Sequence, residues 1–142
     1  QQQGRGERLL ISFHGIPERH VRARDPYPAQ CQRSATRLAA LLDLPESAWQ
    51  LSFQSRVGRA PWTGPYTDEV LLELARAGVK TVDVICPGFA VDCLETLEEI
   101  GLRYKALFES AGGRTLRYIA ALNDHPDHAR LLAGIAAARL ND

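Results

Sequence analysis

Residues 81–99, TVDVICPGFAVDCLETLEE, contain one complete step from strand through turn to helix. Residues 81–85 form a short, mostly apolar run, which is typical of a buried strand. Pro87 and Gly88 break the strand, and Asp92 is placed to cap a helix over residues 93–110. A strand that leads through a turn into a helix is the repeating unit of a parallel α/β sheet. The stretch therefore predicts that fold class.

The same step occurs four times along the chain. The predicted strands span residues 9–13, 49–54, 81–85 and 116–120, and the predicted helices span residues 29–42, 67–76, 93–110 and 126–140. We therefore expect an α/β fold with a four-stranded parallel sheet and helices on both faces, doubly wound as in Rossmann and flavodoxin-like domains. The expected strand order is 2-1-3-4. In that order a ligand crevice lies beyond the carboxyl ends of the first and third strands.

The composition is that of one ordinary globular domain. The 142 residues are 45% hydrophobic and 24% charged, and 17 Lys and Arg balance 17 Asp and Glu. This balance gives no electrostatic reason to expect nucleic acid as a partner. No apolar run approaches the roughly 20 residues that span a bilayer, and the sequence carries no secretory signal pattern.

The cysteines and the first residues support two further expectations. The three cysteines lack the spacing of a zinc site or a disulfide framework, which favours reduced thiols and a cytoplasmic protein. Residues 1–7 are polar and predict a linker. We therefore expect a domain over residues 8–142 with a further segment before it.

Chemically useful side chains follow the first and third predicted strands. His14 comes directly after the first strand, and Asp92, Glu95 and Glu99 lie where the third strand leads into its helix. Glu95 and Glu99 are four residues apart, which places them on one face of a helix. An imidazole that faces carboxylates across a crevice can hold a divalent cation or move protons. A structural or exposed histidine and a solvated, dipole-favoured helix start are also open explanations.

The long loop after the second strand carries an aromatic candidate, Trp62, with Arg56 and Arg59 nearby. The tryptophan either packs on the core or forms a wall for a flat ligand. The arginines either pair with ligand carboxylates or are solvated. The sequence lacks the motifs of dinucleotide-binding folds, P-loop nucleotide triphosphatases and serine hydrolases, which argues against those three classes.

Six motifs occur in a recognisable order. They are SFHGIP (residues 12–17), DPYP (25–28), FQSRVGR (53–59), PW (61–62), PYTDE (65–69) and CPGFAVDCLETLEE (86–99). With these motifs the chain resembles the ferrochelatases, in particular the bacterial protoporphyrin type. The resemblance runs from about Leu9 to the end of the chain. It covers only the second, C-terminal domain of a family with two such chelatase-like domains.

The resemblance implies a lyase that inserts Fe²⁺ into protoporphyrin IX, the last step of haem biosynthesis. Its partners would be protoporphyrin IX, ferrous iron as substrate, and the N-terminal domain of the same enzyme. Carried over motif by motif, the catalytic and metal-binding residues are His14 and Glu95. The residues expected in the porphyrin cleft are Phe89, Trp62, Gln54 and Ser55, and those expected in a proton or metal path are Glu99 and Asp92.

Two departures and two alternatives accompany this resemblance. Arg103 occupies the position of a third acidic residue of the path, and the chain has no C-terminal cysteines, so we expect no [2Fe–2S] cluster. The alternatives are a stand-alone small tetrapyrrole chelatase that acts as a homodimer, and a non-catalytic fragment that binds metal or porphyrin. A peripheral membrane contact also stays open.

As a mechanism, we expect His14 to take the pyrrole protons while Glu95 and Glu99 guide metal or carry protons away.

Overall fold

The computed structural model describes residues 4–140. The strands are β1 (Arg8–His14), β2 (Trp49–Gln54), β3 (Thr81–Ile85) and β4 (Thr115–Ile119). The helices are α1 (Glu18–Arg22), α2 (Tyr27–Leu41), α3 (Thr67–Arg76), α4 (Lys105–Ser110) and α5 (Pro126–Leu140). A 3-10 turn, Glu46–Ala48, precedes β2, and a π-helix, Glu95–Tyr104, runs directly into α4.

The four strands form one parallel sheet in the order β2-β1-β3-β4. β1 is the central strand at the switch point, since it pairs with β2 on one side and with β3 on the other. Ile11, for example, lies between Leu51 and Ile85. The predicted fold class and strand order are confirmed. The carboxyl ends of β1 and β3 therefore meet at one edge of the sheet, where such folds bind ligands.

Helices cover both faces of this sheet because successive strand residues point to opposite sides. Leu10 belongs to a buried cluster that includes Leu71 of α3, Ile100 of the π-helix and Phe108 of α4. The next residue, Ile11, belongs to a second buried cluster that includes Ala35 of α2. The apolar sides of the predicted helices thus fix which helix lies on which face.

Two helical features differ from the expectation. Helix α1 lies in a segment predicted to be loop, since its 5 residues are too few to show an apolar periodicity. The helix predicted over residues 93–110 begins as a π-helix, Glu95–Tyr104. π-helical turns are rare and occur often at functional sites, and an apolar pattern of ten residues does not separate them from an α-helix.

The predicted linker is partly attached to the sheet. The backbone N–H of Gly6 donates to the Asp83 carboxylate at 2.7 Å, and the Glu7 carboxylate accepts the backbone N–H groups of Lys80 and Thr81 at 3.0 Å each. Residues 1–3 of that prediction lie outside the described residues. Residues 6 and 7 therefore continue the edge of the domain that begins with β1.

Replacing Gly113 by alanine is expected to lower the free energy of unfolding by about 1–3 kcal/mol, the usual effect of overpacking a core. A Cβ at residue 113 would overlap the ring of Phe108, which is fully buried and cannot swing away. Denaturant unfolding measures the change. Gly134→Ala is the matched control, because a Cβ there meets nothing within 4 Å. Equal unfolding midpoints for the two variants would contradict the prediction.

Candidate active site

The candidate site lies where β1 and β3 end side by side. His14 is the last residue of β1, and the loop 86–94 follows β3 and leads into the π-helix. The His14 carbonyl accepts a hydrogen bond from the Tyr27 hydroxyl at 2.9 Å. This bond ties the end of β1 to the first residue of α2. The backbone that carries the imidazole is therefore held from both the sheet and a helix.

The His14 ring has a defined proton arrangement. Its Nδ1 lies 2.7 Å from the Gly15 carbonyl oxygen, which can only accept, so Nδ1 carries a proton and donates it. In the neutral ring, Nε2 then keeps a free lone pair. The side chain is half-buried. His14 can thus accept a proton or ligate a metal ion through Nε2 without a change of tautomer.

Two aromatic side chains flank this imidazole. The ring centroids of Trp62 and Phe89 lie 6.3 Å and 6.4 Å from that of His14, with both rings tilted against it. The Trp62 Nε1–H donates to the Val57 carbonyl at 2.9 Å, and the Phe89 N–H donates to the Cys86 carbonyl at 3.1 Å. The Trp62 ring and the Phe89 backbone are therefore held in their loops near His14, and both side chains are half-buried, as the walls of a cleft for a flat molecule would be.

Glu95 lines the same cavity as His14, a space of about 200 Å³. A hydrogen bond with the Cys93 side chain and one with its own backbone N–H lower the pKa of the Glu95 carboxyl, and positive charge on His14 adds to the effect. Burial acts in the opposite direction. The carboxylate is consequently ionised at neutral pH, which suits it to attract a divalent cation.

Glu99 also reaches this cavity, but it is 4% exposed and fully engaged. Its carboxylate accepts the Ser55 N–H at 3.0 Å, the Ser55 hydroxyl at 2.5 Å and the Tyr104 hydroxyl at 2.7 Å. The Arg103 guanidinium lies 3.8 Å away. The lone pairs of Glu99 are therefore used to hold the end of β2 against the π-helix.

Gln54 is one of the most deeply buried residues of the candidate site. The Gln54 side chain is 1% exposed. Its Nε2 donates to the Glu95 carbonyl at 2.7 Å, and its Oε1 accepts the Ser12 hydroxyl at 2.8 Å and the Cys86 thiol at 3.2 Å. Gln54 thus joins three strands to the start of the π-helix beneath the cavity. Burial raises the pKa of the Cys86 thiol to about 12, so this cysteine is a packing residue.

Ser55 takes a backbone conformation that non-glycine residues rarely adopt, with φ at 67°. The carboxylate of Glu99 holds it there through both its N–H and its hydroxyl. Ser55 also lines the cavity. Strain of this kind clusters at sites that the surrounding structure over-determines, which agrees with the position of Ser55 at the end of β2.

Asp92 does not cap the helix that follows it, and its expected place in a proton or metal path stays a prediction. Its carboxylate accepts hydrogen bonds from the side chains of Tyr118 in β4 and Asn123 after β4. It accepts no backbone N–H of the π-helix. Sequence reasoning missed Tyr118, Asn123 and Tyr27 as partners of the site. Only the DPYP motif pointed towards Tyr27, and nothing in the pattern pointed to the other two.

Arg56 is engaged within the domain. Its guanidinium stacks on the Tyr66 ring at 4.0 Å and pairs with the carboxylates of Asp68 and Glu69. Arg59 is exposed. Of the two loop arginines, Arg56 therefore supports the fold, while Arg59 stays free to meet solvent or a ligand.

A resident metal ion finds no closed set of ligands in this part of the chain. Across residues 4–140, no three or more His, Cys, Asp and Glu side chains come together in a metal-binding arrangement. His14 and Glu95 supply two ligand types for an ion that keeps its other ligands. In the same residue range, no helix is long and apolar enough to cross a membrane.

Comparisons with known proteins identify relatives of this chain. A family model described as ferrochelatase matches residues 1–140. The chain is 58% identical over 132 residues to a ferrochelatase of Nitrosococcus oceani, covering 93% of the chain and 36% of that protein. It is 51% identical over 140 residues to a ferrochelatase of Stenotrophomonas maltophilia, covering 99% of the chain and 43% of that protein. The chain thus spans about two fifths of the length of the curated relatives it matches.

Proposed function

The chain belongs to the ferrochelatase family, and on this premise we propose that it supplies the proton-accepting and metal-guiding residues of a site that inserts Fe²⁺ into protoporphyrin IX. This reaction is the last step of haem biosynthesis. The observation that carries the proposal is the imidazole of His14, with Nδ1 committed to the Gly15 carbonyl and Nε2 free, in a ring that has two aromatic side chains nearby.

The chemistry of insertion requires the groups present here. Two pyrrole N–H bonds break, four nitrogens bind the iron, and two protons leave. His14 Nε2 accepts the two pyrrole protons one after the other as a general base and passes each on to solvent. The rings of Trp62 and Phe89 lie near the imidazole and offer apolar surfaces to a flat macrocycle.

Glu95 acts on the metal ion and on the positive charge that His14 gains with a proton. Its lowered pKa keeps it anionic near His14, so it attracts the hydrated Fe²⁺ and stabilises the imidazolium that forms when His14 is protonated. His14 Nε2 can ligate the ion only before it takes a proton, so during proton transfer Glu95, water and then the pyrrole nitrogens fill the coordination positions of the ion. We assign Glu99 to the support of Ser55 and Glu95, since its own carboxylate is saturated with donors.

The assay that tests the proposal is anaerobic insertion of Fe²⁺ into protoporphyrin IX, with Zn²⁺ as a surrogate, followed by the change in porphyrin absorbance. We expect insertion by the complete polypeptide, because the chain spans only 36–43% of its relatives and the rest of the polypeptide is proposed to form the other wall of the cleft. Absence of insertion by a folded complete polypeptide would overturn the proposal.

The two alternatives predict different results for the 142-residue chain alone. Insertion by a homodimer of the chain would favour the stand-alone chelatase, and binding of porphyrin without insertion by a monomer would favour the fragment. The same sample therefore needs its oligomeric state measured by sedimentation or light scattering. The cytoplasmic location, a peripheral membrane contact and the lack of a [2Fe–2S] cluster stay predictions from sequence and resemblance.

Glu95→Gln in the complete polypeptide is expected to lower the insertion rate by about 10-fold to 100-fold at limiting metal concentration. Losing one interaction with a charged group costs about 1.5–3 kcal/mol, which corresponds to this range. The substitution keeps the size of the side chain and removes its charge. The KM for the metal ion should carry most of the change. Glu109→Gln is the matched control, because Glu109 is an exposed carboxylate of α4 in the same helical segment. Equal rates for the two variants would remove Glu95 from the mechanism.

A further inference from the structure

The Asp92 carboxylate joins two loops at the edge of the candidate site. We propose that Asp92, Tyr118 and Asn123 form a latch, and that these positioning residues set where Phe89 and Glu95 lie. In this proposal Asp92 acts through the loop 86–94 and the start of the π-helix, and it does not itself receive protons or metal from the cleft. The effect of the latch on metal insertion rests on the proposed function. The effect of the latch on the loop 86–94 rests on the geometry alone.

Neighbours use most of the acceptor capacity of Asp92. Its Oδ1 accepts the Tyr118 hydroxyl at 2.6 Å, the Thr96 hydroxyl at 3.1 Å and the Ala121 N–H at 3.2 Å. Its Oδ2 accepts the Asn123 Nδ2–H at 2.8 Å. Each carboxylate oxygen offers about two lone-pair positions, so Oδ1 is fully used and Oδ2 keeps one position. Both oxygens are thus committed to contacts that hold the two loops together.

Asn123 also accepts hydrogen bonds from, and donates them to, the backbone of the segment that carries Asp92. Its Oδ1 accepts the backbone N–H of Asp92 at 2.8 Å, and its own N–H donates to the Ala90 carbonyl at 3.1 Å. The residue has a φ of 50°, a left-handed conformation that asparagine tolerates better than most residues. Its carbonyl is in turn bonded by His128 Nδ1 of α5 at 2.8 Å. The latch thus fastens the segment after β4 to the segment after β3 through backbone and side chain together.

The latch lies in the middle of the segment that carries the site. Phe89 is three residues before Asp92, and Glu95 is three residues after it. Thr96 extends the latch into the π-helix, because its hydroxyl oxygen also accepts the Cys93 N–H at 2.9 Å. Bonds from Asn123 and Tyr118 lower the pKa of Asp92, which keeps the latch charged and closed at neutral pH. Loosening it would free the Phe89 ring and the Glu95 carboxylate from their places beside His14.

Hydrogen exchange in the 142-residue chain tests the latch without reference to activity. We expect Tyr118→Phe and Asn123→Ala each to speed exchange at the amides of residues 89–96 by about tenfold, the effect of losing one net hydrogen bond. Amides of β1 and β2 should exchange as in the unchanged chain. Asp124→Asn is the control, since Asp124 is an exposed neighbour of Asn123. Unchanged exchange in both latch variants would overturn the proposal.

Insertion by the complete polypeptide separates positioning from direct proton transfer. A positioning role predicts that Tyr118→Phe, Asn123→Ala and Asp92→Asn lower kcat/KM by similar factors, and that combining Tyr118→Phe with Asp92→Asn adds little. A wild-type rate for Tyr118→Phe with a large loss for Asp92→Asn would assign Asp92 to the proton path instead. If no version of the polypeptide inserts metal, the proposed function fails, while the exchange result still decides the latch.

Discussion

Replacing His14 by alanine in the complete polypeptide is expected to slow metal insertion by about 100-fold to 10,000-fold, the range contributed by a positioned general base. The reason is geometric. His14 Nδ1 donates to the Gly15 carbonyl at 2.7 Å, so the ring presents one defined acceptor, Nε2, and no neighbouring group offers the same nitrogen lone pair in the cavity that His14 shares with Glu95. Porphyrin absorbance at saturating metal measures the rate.

Three comparisons make the His14 result specific. His20→Ala removes an exposed histidine of α1 and should leave the rate unchanged. Imidazole added to the His14→Ala variant should restore part of the lost rate, because the alanine leaves room for the missing base. The far-ultraviolet circular dichroism of the variant should match that of the unchanged protein, since His14 is half-buried at a strand end. Near-normal insertion by His14→Ala would end its assignment as the base.

The position of the site was predictable from sequence because it depends on topology. Four strand–helix steps specify a parallel sheet, and right-handed crossovers with a 2-1-3-4 order bring the ends of β1 and β3 together. His14 and Glu95 were singled out as candidates by their places after these strands, the resemblance then implied their roles, and both line one cavity. Topology is informative here because His14 ends β1 itself and a single loop, residues 86–94, joins Glu95 to β3.

The hydrogen-bonding partners of each residue at the candidate site were not predictable from sequence, because they depend on where side chains point. The expected places of Gln54 and Ser55 in a cleft, and of Asp92 and Glu99 along a path, stay predictions, and the structure adds that each makes hydrogen bonds within the candidate site. A sequence pattern does not distinguish a carboxylate that is exposed to solvent from one that accepts hydrogen bonds from four donors. Only contacts with residues distant in sequence separate the two cases, such as those of Tyr118 and Asn123 with Asp92 and that of Ser55 with Glu99.

Glu99→Ala is expected to lower the free energy of unfolding by about 3–5 kcal/mol, since each buried polar group left without a partner costs about 1–3 kcal/mol. The Ser55 N–H, the Ser55 hydroxyl and the Tyr104 hydroxyl would all lose their acceptor. Denaturant unfolding of the chain measures the loss. Glu109→Ala, an exposed glutamate of α4, should change stability by less than about 0.5 kcal/mol, as surface substitutions do.

A second substitution shows whether the effect of Glu99 passes through Ser55. Ser55→Gly removes one of the three donors, and glycine adopts a positive φ without strain, so the loop no longer needs Glu99 to hold its conformation. Glu99→Ala should therefore destabilise the Ser55→Gly protein less than it destabilises the unchanged protein, with a coupling energy of about 0.5–3 kcal/mol for groups in direct contact. Additive effects would mean that Glu99 stabilises the fold through Tyr104 and the π-helix alone. The strained end of β2 would then be held by Gln54 and the strand pairing, and the link between the buried carboxylate and the shape of the cavity would be lost.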